Sequence, residues 1–98
     1  MHVRLAATPP ARLRGLLGRP PSPIPLLIIP ARSVHTFGMR RPIDVVFLDA
    51  DLRVVKVVHG LRPCRVAAAR RAVAALELVA GAAASFSEGE RLELRPGR

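Results

Sequence analysis

Residues 43–59 read IDVVFLDADLRVVKVVH, and no other stretch limits the fold of this chain as strongly. Residues 43–48 are β-branched, aromatic or aliphatic everywhere except Asp44. Such side chains suit a pleated, buried surface. The run begins after Pro42, at a strand end where proline is tolerated. Asp49-Ala50-Asp51-Leu52 is turn chemistry, because aspartates bond to their own backbone in tight bends. Residues 53–59, RVVKVVH, then return as a second strand, so the segment is predicted to be an antiparallel hairpin. Simple alternation sets Val55, Val57 and His59 on one face, with Val54, Lys56 and Val58 on the other. It also turns Asp44 away from Ile43 and Val45. A carboxylate on a buried strand must be paired, and Arg40 or Arg41 is the expected partner.

The flanking sequence is broken into short pieces by proline and glycine. Residues 1–8 suit a short strand or a frayed end. Residues 11–18, ARLRGLLG, suit one or two helical turns with Leu13, Leu16 and Leu17 on one face. Residues 19–25, RPPSPIP, cannot form a ladder, and LLII at 26–29 is a short apolar strand stopped by Pro30. Residues 65–79 are ambiguous. Six alanines between 67 and 75 favour helix, whereas the closing LELV favours strand. Residues 82–86 suit one helical turn, and RLEL at 91–94 suits a last strand with Leu92 and Leu94 inward. The tail RPGR, 95–98, is expected to be loose. No internal repeat is present, and 98 residues allow a single domain spanning 1–98.

Charge is distributed unevenly. Residues 1–43 hold seven arginines and no acid, so +7 of the formal +9 precedes Asp44. A nucleic acid or an anionic surface would exploit that balance. With three phenylalanines and no tyrosine or tryptophan, however, few platforms exist for stacking bases. Arginine and alanine abundance also reflects general residue usage. One cysteine excludes an internal disulfide and fits a reducing compartment. No apolar run approaches the ~20 residues of a membrane span. The first residues lack the apolar stretch of a secretory signal, and a cytoplasmic protein is expected.

Residues 33–44, SVHTFGMRRPID, concentrate reactive and charged side chains beside the first hairpin strand. His35, Thr36, Met39, Arg40, Asp44 and Asp49 are the candidate binding residues. An imidazole titrates near neutrality, so His35 could act as a base if Asp44 or Asp49 orients it. The plainer alternative is a histidine bonded to a carboxylate or carbonyl to hold the corner. His35, Met39, His59 and Cys64 offer soft sulfur and imidazole, but their spacing matches no closed metal site. No metal site is assigned, and the residues identify no cofactor.

The run SVHTFGMRRPIDVVFLDADLRVVKVVHGLRP resembles the signature segment of a small prokaryotic family catalogued as domain of unknown function 192. That family carries His-Thr-Phe-x-Met-Arg, then Pro-Ile-Asp, a strand ending Phe-Leu-Asp, and a Leu-x-Pro corner. Here these are His35, Thr36, Phe37, Met39, Arg40, Pro42, Ile43, Asp44, Phe47, Leu48, Asp49, Leu61 and Pro63. RGLLGR upstream and LELVAG and GERLEL downstream extend the likeness to about residues 12–94. The resemblance implies a compact, barrel-like β-structure with a little helix, tips residues 74–79 towards strand, and brings no assigned activity. Four positions depart from the pattern. Ala31 replaces a frequent cysteine, Cys64 replaces an aromatic, Arg41 replaces a frequent aromatic, and the Ala80–Gly89 stretch is about two residues short.

The expected fold is therefore α+β: a small, compact, barrel-like and mainly antiparallel β domain with one or two short helices. The leading functional expectation is a non-enzymatic ligand- or partner-binding module with its site near the His-Thr-Phe-x-Met-Arg segment. A small hydrolase-like enzyme using His35 with Asp44 or Asp49 is one alternative. A basic nucleic-acid binder, in which the seven N-terminal arginines share a face, is another. The partner left open is a small molecule or a protein, with nucleic acid the weaker reading.

Overall fold

A computed structural model of the chain describes residues 1–6 and 24–96. Its centre is the predicted hairpin. Strand β4 (Ile43–Leu48) is buried at all six positions and pairs antiparallel with β5 (Val54–Leu61). Its other edge pairs antiparallel with β7 (Ala74–Val79). Strand β2 (Leu26–Ile28) follows β7, and β1 (His2–Ala6) lies parallel to β2. Arg95–Pro96, placed in a loose tail on sequence grounds, form β8 parallel to β1. The sheet order is β5-β4-β7-β2-β1-β8. Strands β3 (Ser33–His35) and β6 (Val66–Ala68) form a separate two-stranded ribbon.

The sheet is covered on both faces, which explains why β4 and β7 are nearly continuous apolar runs. Val46, Leu48, Leu76 and Leu78 face one cluster, completed by Val3, Leu27, Ala83 and Leu92. Ile43, Val45, Phe47 and Ala75 face the other, where the ribbon contributes Val34. The turn between β4 and β5 forms as its sequence predicts. Asp49 Oδ1 accepts the backbone N–H groups of Asp51 and Arg53, each at 2.9 Å.

Several expectations are corrected. The fold is all-β: among the described residues there is no helix, and the sheet stays open instead of closing into a barrel. Alanine propensity loses in residues 65–79 because β7 is hydrogen-bonded on both edges, to β4 and β2. Ladder pairing and burial outweigh a preference of a few tenths of a kcal/mol per residue. Residues 82–86 form successive i→i+3 turns. Residues 91–94 contribute one isolated bridge, Arg53 to Arg91, in place of a strand. The helical turns expected at 11–18 lie outside the described residues. Simple alternation fails in β5, because the register with β4 shifts between Phe47 and Leu48 and again between Ile43 and Val45. The first of these shifts brings Val54 and Val57 to one cluster and Val55 and Val58 to the other.

Candidate functional site

Strand β3 ends at His35, directly opposite Val66 on β6. The next residue, Thr36, is fully buried and ties two loops together. Its hydroxyl donates to the Arg62 carbonyl at 2.5 Å and accepts from the Arg65 N–H at 2.9 Å. Its own N–H donates to the Arg65 carbonyl at 2.9 Å, and its carbonyl accepts from Cys64 N–H at 3.1 Å. One small side chain thus fixes residues 62–65 against residues 35–39. Gly38, at φ +85°, allows the tight bend that follows.

The locked corner presents an aromatic pair. The His35 ring stacks on Phe37 with centroids 5.2 Å apart and planes inclined by 30°. Phe37 is 50% exposed, unusual for so large an apolar side chain. The Phe37 N–H donates to His35 Nδ1 at 3.3 Å. An imidazole accepting through Nδ1 carries its neutral-state proton on Nε2. Arg40, Arg41, Arg62 and Arg65 are all exposed on the same two loops, and the pairing of Ile43 with Leu61 draws those loops together. Met39 packs against the core below.

The remaining candidates lie elsewhere. Asp44 points to the sheet face opposite the ribbon, where it is 1% exposed. Its Oδ1 accepts the Gly60 N–H at 2.8 Å, and its Oδ2 accepts those of Gly81 at 2.9 Å and Ala83 at 3.0 Å. The expected partners Arg40 and Arg41 are replaced by backbone donors, because the β5 bulge and the turn after β7 aim three N–H groups at this point. His59 Nδ1, on a side chain 59% exposed, lies 4.0 Å from Oδ2. Asp49 closes the β4–β5 turn, at the far end of β4 from the corner. His35, Thr36, Met39 and Arg40 are therefore together, and Asp44 and Asp49 are apart from them. Among the described residues, no cluster of three or more histidine, cysteine or acidic side chains could hold a metal ion.

Glu77 was not singled out from the sequence. It is 6% exposed on β7, between Val45 and Leu26 across the ladders, and shares the ribbon-facing side with Ala75. Its Oε2 has no hydrogen-bond partner among the described residues. Burial pushes its pKa from 4.5 up to about 8, so the carboxyl is mainly neutral at pH 7. The available signal was a lone acid inside AALELV, where every neighbour is apolar.

An open, two-faced β-sheet with a clamped ribbon corner defines a small all-β domain. The chain belongs to the family known as domain of unknown function 192, described as uncharacterised, whose model matches residues 1–94. Two solved structures share the fold. One is a protein of unknown function from Novosphingobium aromaticivorans, 23% identical, with a TM-score of 0.79 over 91% of this chain and 71% of that one. The other, from Sinorhizobium meliloti, is described provisionally as a transcription regulator; it is 25% identical, with a TM-score of 0.80 over 93% of this chain and 79% of that one. No curated protein matches the chain. No helix among the described residues is long and apolar enough to cross a membrane.

Proposed function

We propose that this chain is a non-enzymatic binding module whose contact surface is the His35 corner and whose ligand or partner is negatively charged. The stack of half-buried His35 on exposed Phe37 carries the reading. A large apolar ring held at half exposure on a rigid corner gains stability from being covered. Arg40, Arg41, Arg62 and Arg65 around it supply fork-shaped donors for carboxylate or phosphate. A catalytic reading has less support. His35 uses Nδ1 on the Phe37 N–H, Asp44 uses both oxygens on backbone N–H groups, and the two lie on opposite sides of β4.

The test is an amide chemical-shift titration of the labelled protein with two probes, ATP and a poly-glutamate peptide. Binding of either probe should shift residues 35–41 and 62–66 first. The variants Phe37→Ala and Arg40→Ala should each weaken it about fivefold or more while the spectrum stays folded, in line with roughly 1 kcal/mol for each side chain removed. Shifts confined to other regions, or none with either probe, would refute the proposal.

A further inference from the structure

The ribbon register shows what continues from the corner. Ser33 pairs with Ala68, Val34 with Ala67 and His35 with Val66. Val34 is buried and Ala67 packs against the same core, so these two point inward. Directly opposed residues share a face. Ser33, His35, Val66 and Ala68 therefore form the outward face, which carries no fixed charge. Val66 is among the most exposed large apolar residues of the chain.

At the Ala68 end, the face opens into a groove lined by Val55, Lys56, Ala69, Arg70, Arg71 and Glu88. Lys56 Nζ donates to the Ala68 carbonyl at 2.8 Å, which positions the ammonium at the groove wall and leaves two of its donors without a partner among the described residues. Residues 52–76 contain six basic side chains and no acid. Cations thus stand at both ends of an uncharged strip. Val66 to Ala68 spans about 7 Å of extended strand at ~3.3 Å per residue, or about two nucleotides at the ~3.4 Å rise of one strand, and Arg70 and Arg71 follow in the turn that the Ala72 N–H closes on the Ala69 carbonyl at 3.1 Å.

Resting on the binding reading of the corner, we propose that this strip is a track for single-stranded nucleic acid. One base stacks on the His35–Phe37 pair, the sugar–phosphate chain crosses Val66 and Ala68, and phosphates meet Lys56, Arg70 and Arg71. The strip favours a nucleic acid over an acidic peptide because a peptide carboxylate has no use for an open ring face, whereas every base has one. It favours a single strand because a stacked duplex hides its base faces. Ser33, Val66 and Ala68 lack the forked donors that read base edges, so binding should tolerate sequence changes.

The test is fluorescence anisotropy with a labelled single-stranded DNA of about 12 nucleotides and mixed sequence, titrated from about 50 to 200 mM salt. Affinity should fall with salt. The variant R70A/R71A should weaken binding and flatten the log–log salt slope by about 1.4, or ~0.7 for each phosphate that is no longer neutralised. R70K/R71K should restore the slope. Phe37→Ala should weaken binding about tenfold with the slope unchanged, as expected when a base loses its stacking platform. All three changes lie at exposed positions, and circular dichroism checks the fold. Equal affinity for a duplex of the same length would overturn the proposal, as would a slope that ignores Arg70 and Arg71. Binding of poly-glutamate without binding of DNA would overturn the nucleic-acid track and leave the corner reading standing. Binding of neither would overturn both.

Discussion

Replacing Asp44 with alanine would remove a side chain that joins β4, the β5 bulge and the turn after β7. Three backbone N–H groups at 2.8–3.0 Å would lose their acceptor in a site 1% exposed. A hydrogen bond to a charged partner is worth about 1.5–3 kcal/mol. Three such bonds to one carboxylate do not add in full, because the Gly60 and Gly81 loops can relax towards water. We expect a loss of about 4 kcal/mol, below the roughly 4.5–9 kcal/mol that three full bonds to a charged acceptor would sum to. A 98-residue domain has roughly 5–15 kcal/mol in total, so this is a large fraction. At a urea slope near 1.5 kcal/mol/M, the midpoint should fall by about 2.7 M. Asp44→Asn should fall between alanine and wild type, because its carbonyl can still accept from Gly81 and Ala83 while its amide meets the Gly60 N–H. His59→Ala should change stability by less than about 0.5 kcal/mol, since its approach to Asp44 is long and exposed. Amide exchange of Gly81 and Ala83 should rise in both Asp44 variants. An Asp44→Ala loss below about 1 kcal/mol, or an Asn variant as stable as wild type, would show that the loops hold without the carboxylate.

Other outcomes follow from the same geometry. Glu77 binds its proton more tightly folded than unfolded, so its contribution is full below about pH 4.5 and is lost as pH rises towards about 8. Stability should decline by about 3 kcal/mol from pH 4.5 to 7, and Glu77→Gln should flatten that slope in urea titrations across this range. An unchanged slope in the variant would assign the pH dependence elsewhere. Thr36→Val keeps the shape but leaves the Arg62 carbonyl and the Arg65 N–H without their partner. It should cost about 2 kcal/mol by thermal or urea unfolding, and a neutral result would mean that the corner is held by its backbone bonds alone. Gly81→Ala meets no atom within 4 Å but forces a side chain to φ +93°, so about 1–2 kcal/mol should be lost from backbone strain alone. Stability equal to wild type would show that the loop shifts to a relaxed φ.

The parts of the fold legible in the sequence were those carried by local pattern. The β-branched runs on either side of Asp49-Ala50-Asp51-Leu52 specify a hairpin because strand preference and turn chemistry agree. Residues 65–79 were opaque for the opposite reason. Local propensity there points to helix, and only pairing with β2 and β4 makes a strand. The β5 bulges left no mark in the alternation of valines, so the faces of Val54 through Val58 could not be assigned from spacing. In the candidate site, His35, Thr36, Met39 and Arg40 are adjacent in the chain and remain so in space. Phe37 was visible only as a motif residue, because exposure is not a property of sequence.

By itself the sequence determined the hairpin, the Asp49 turn, the family, and the cation-rich, acid-free segments that flank β4. Each follows from residues close together or from composition. Alternation already separated Asp44 from Ile43 and Val45, but tertiary structure alone decided which face of β4 meets the ribbon. One residue of strand register exchanges the two faces of a sheet. Bulges and long-range pairing set that register. They send Asp44 to three backbone donors on one face, and place half-buried His35 and exposed Phe37 on the other.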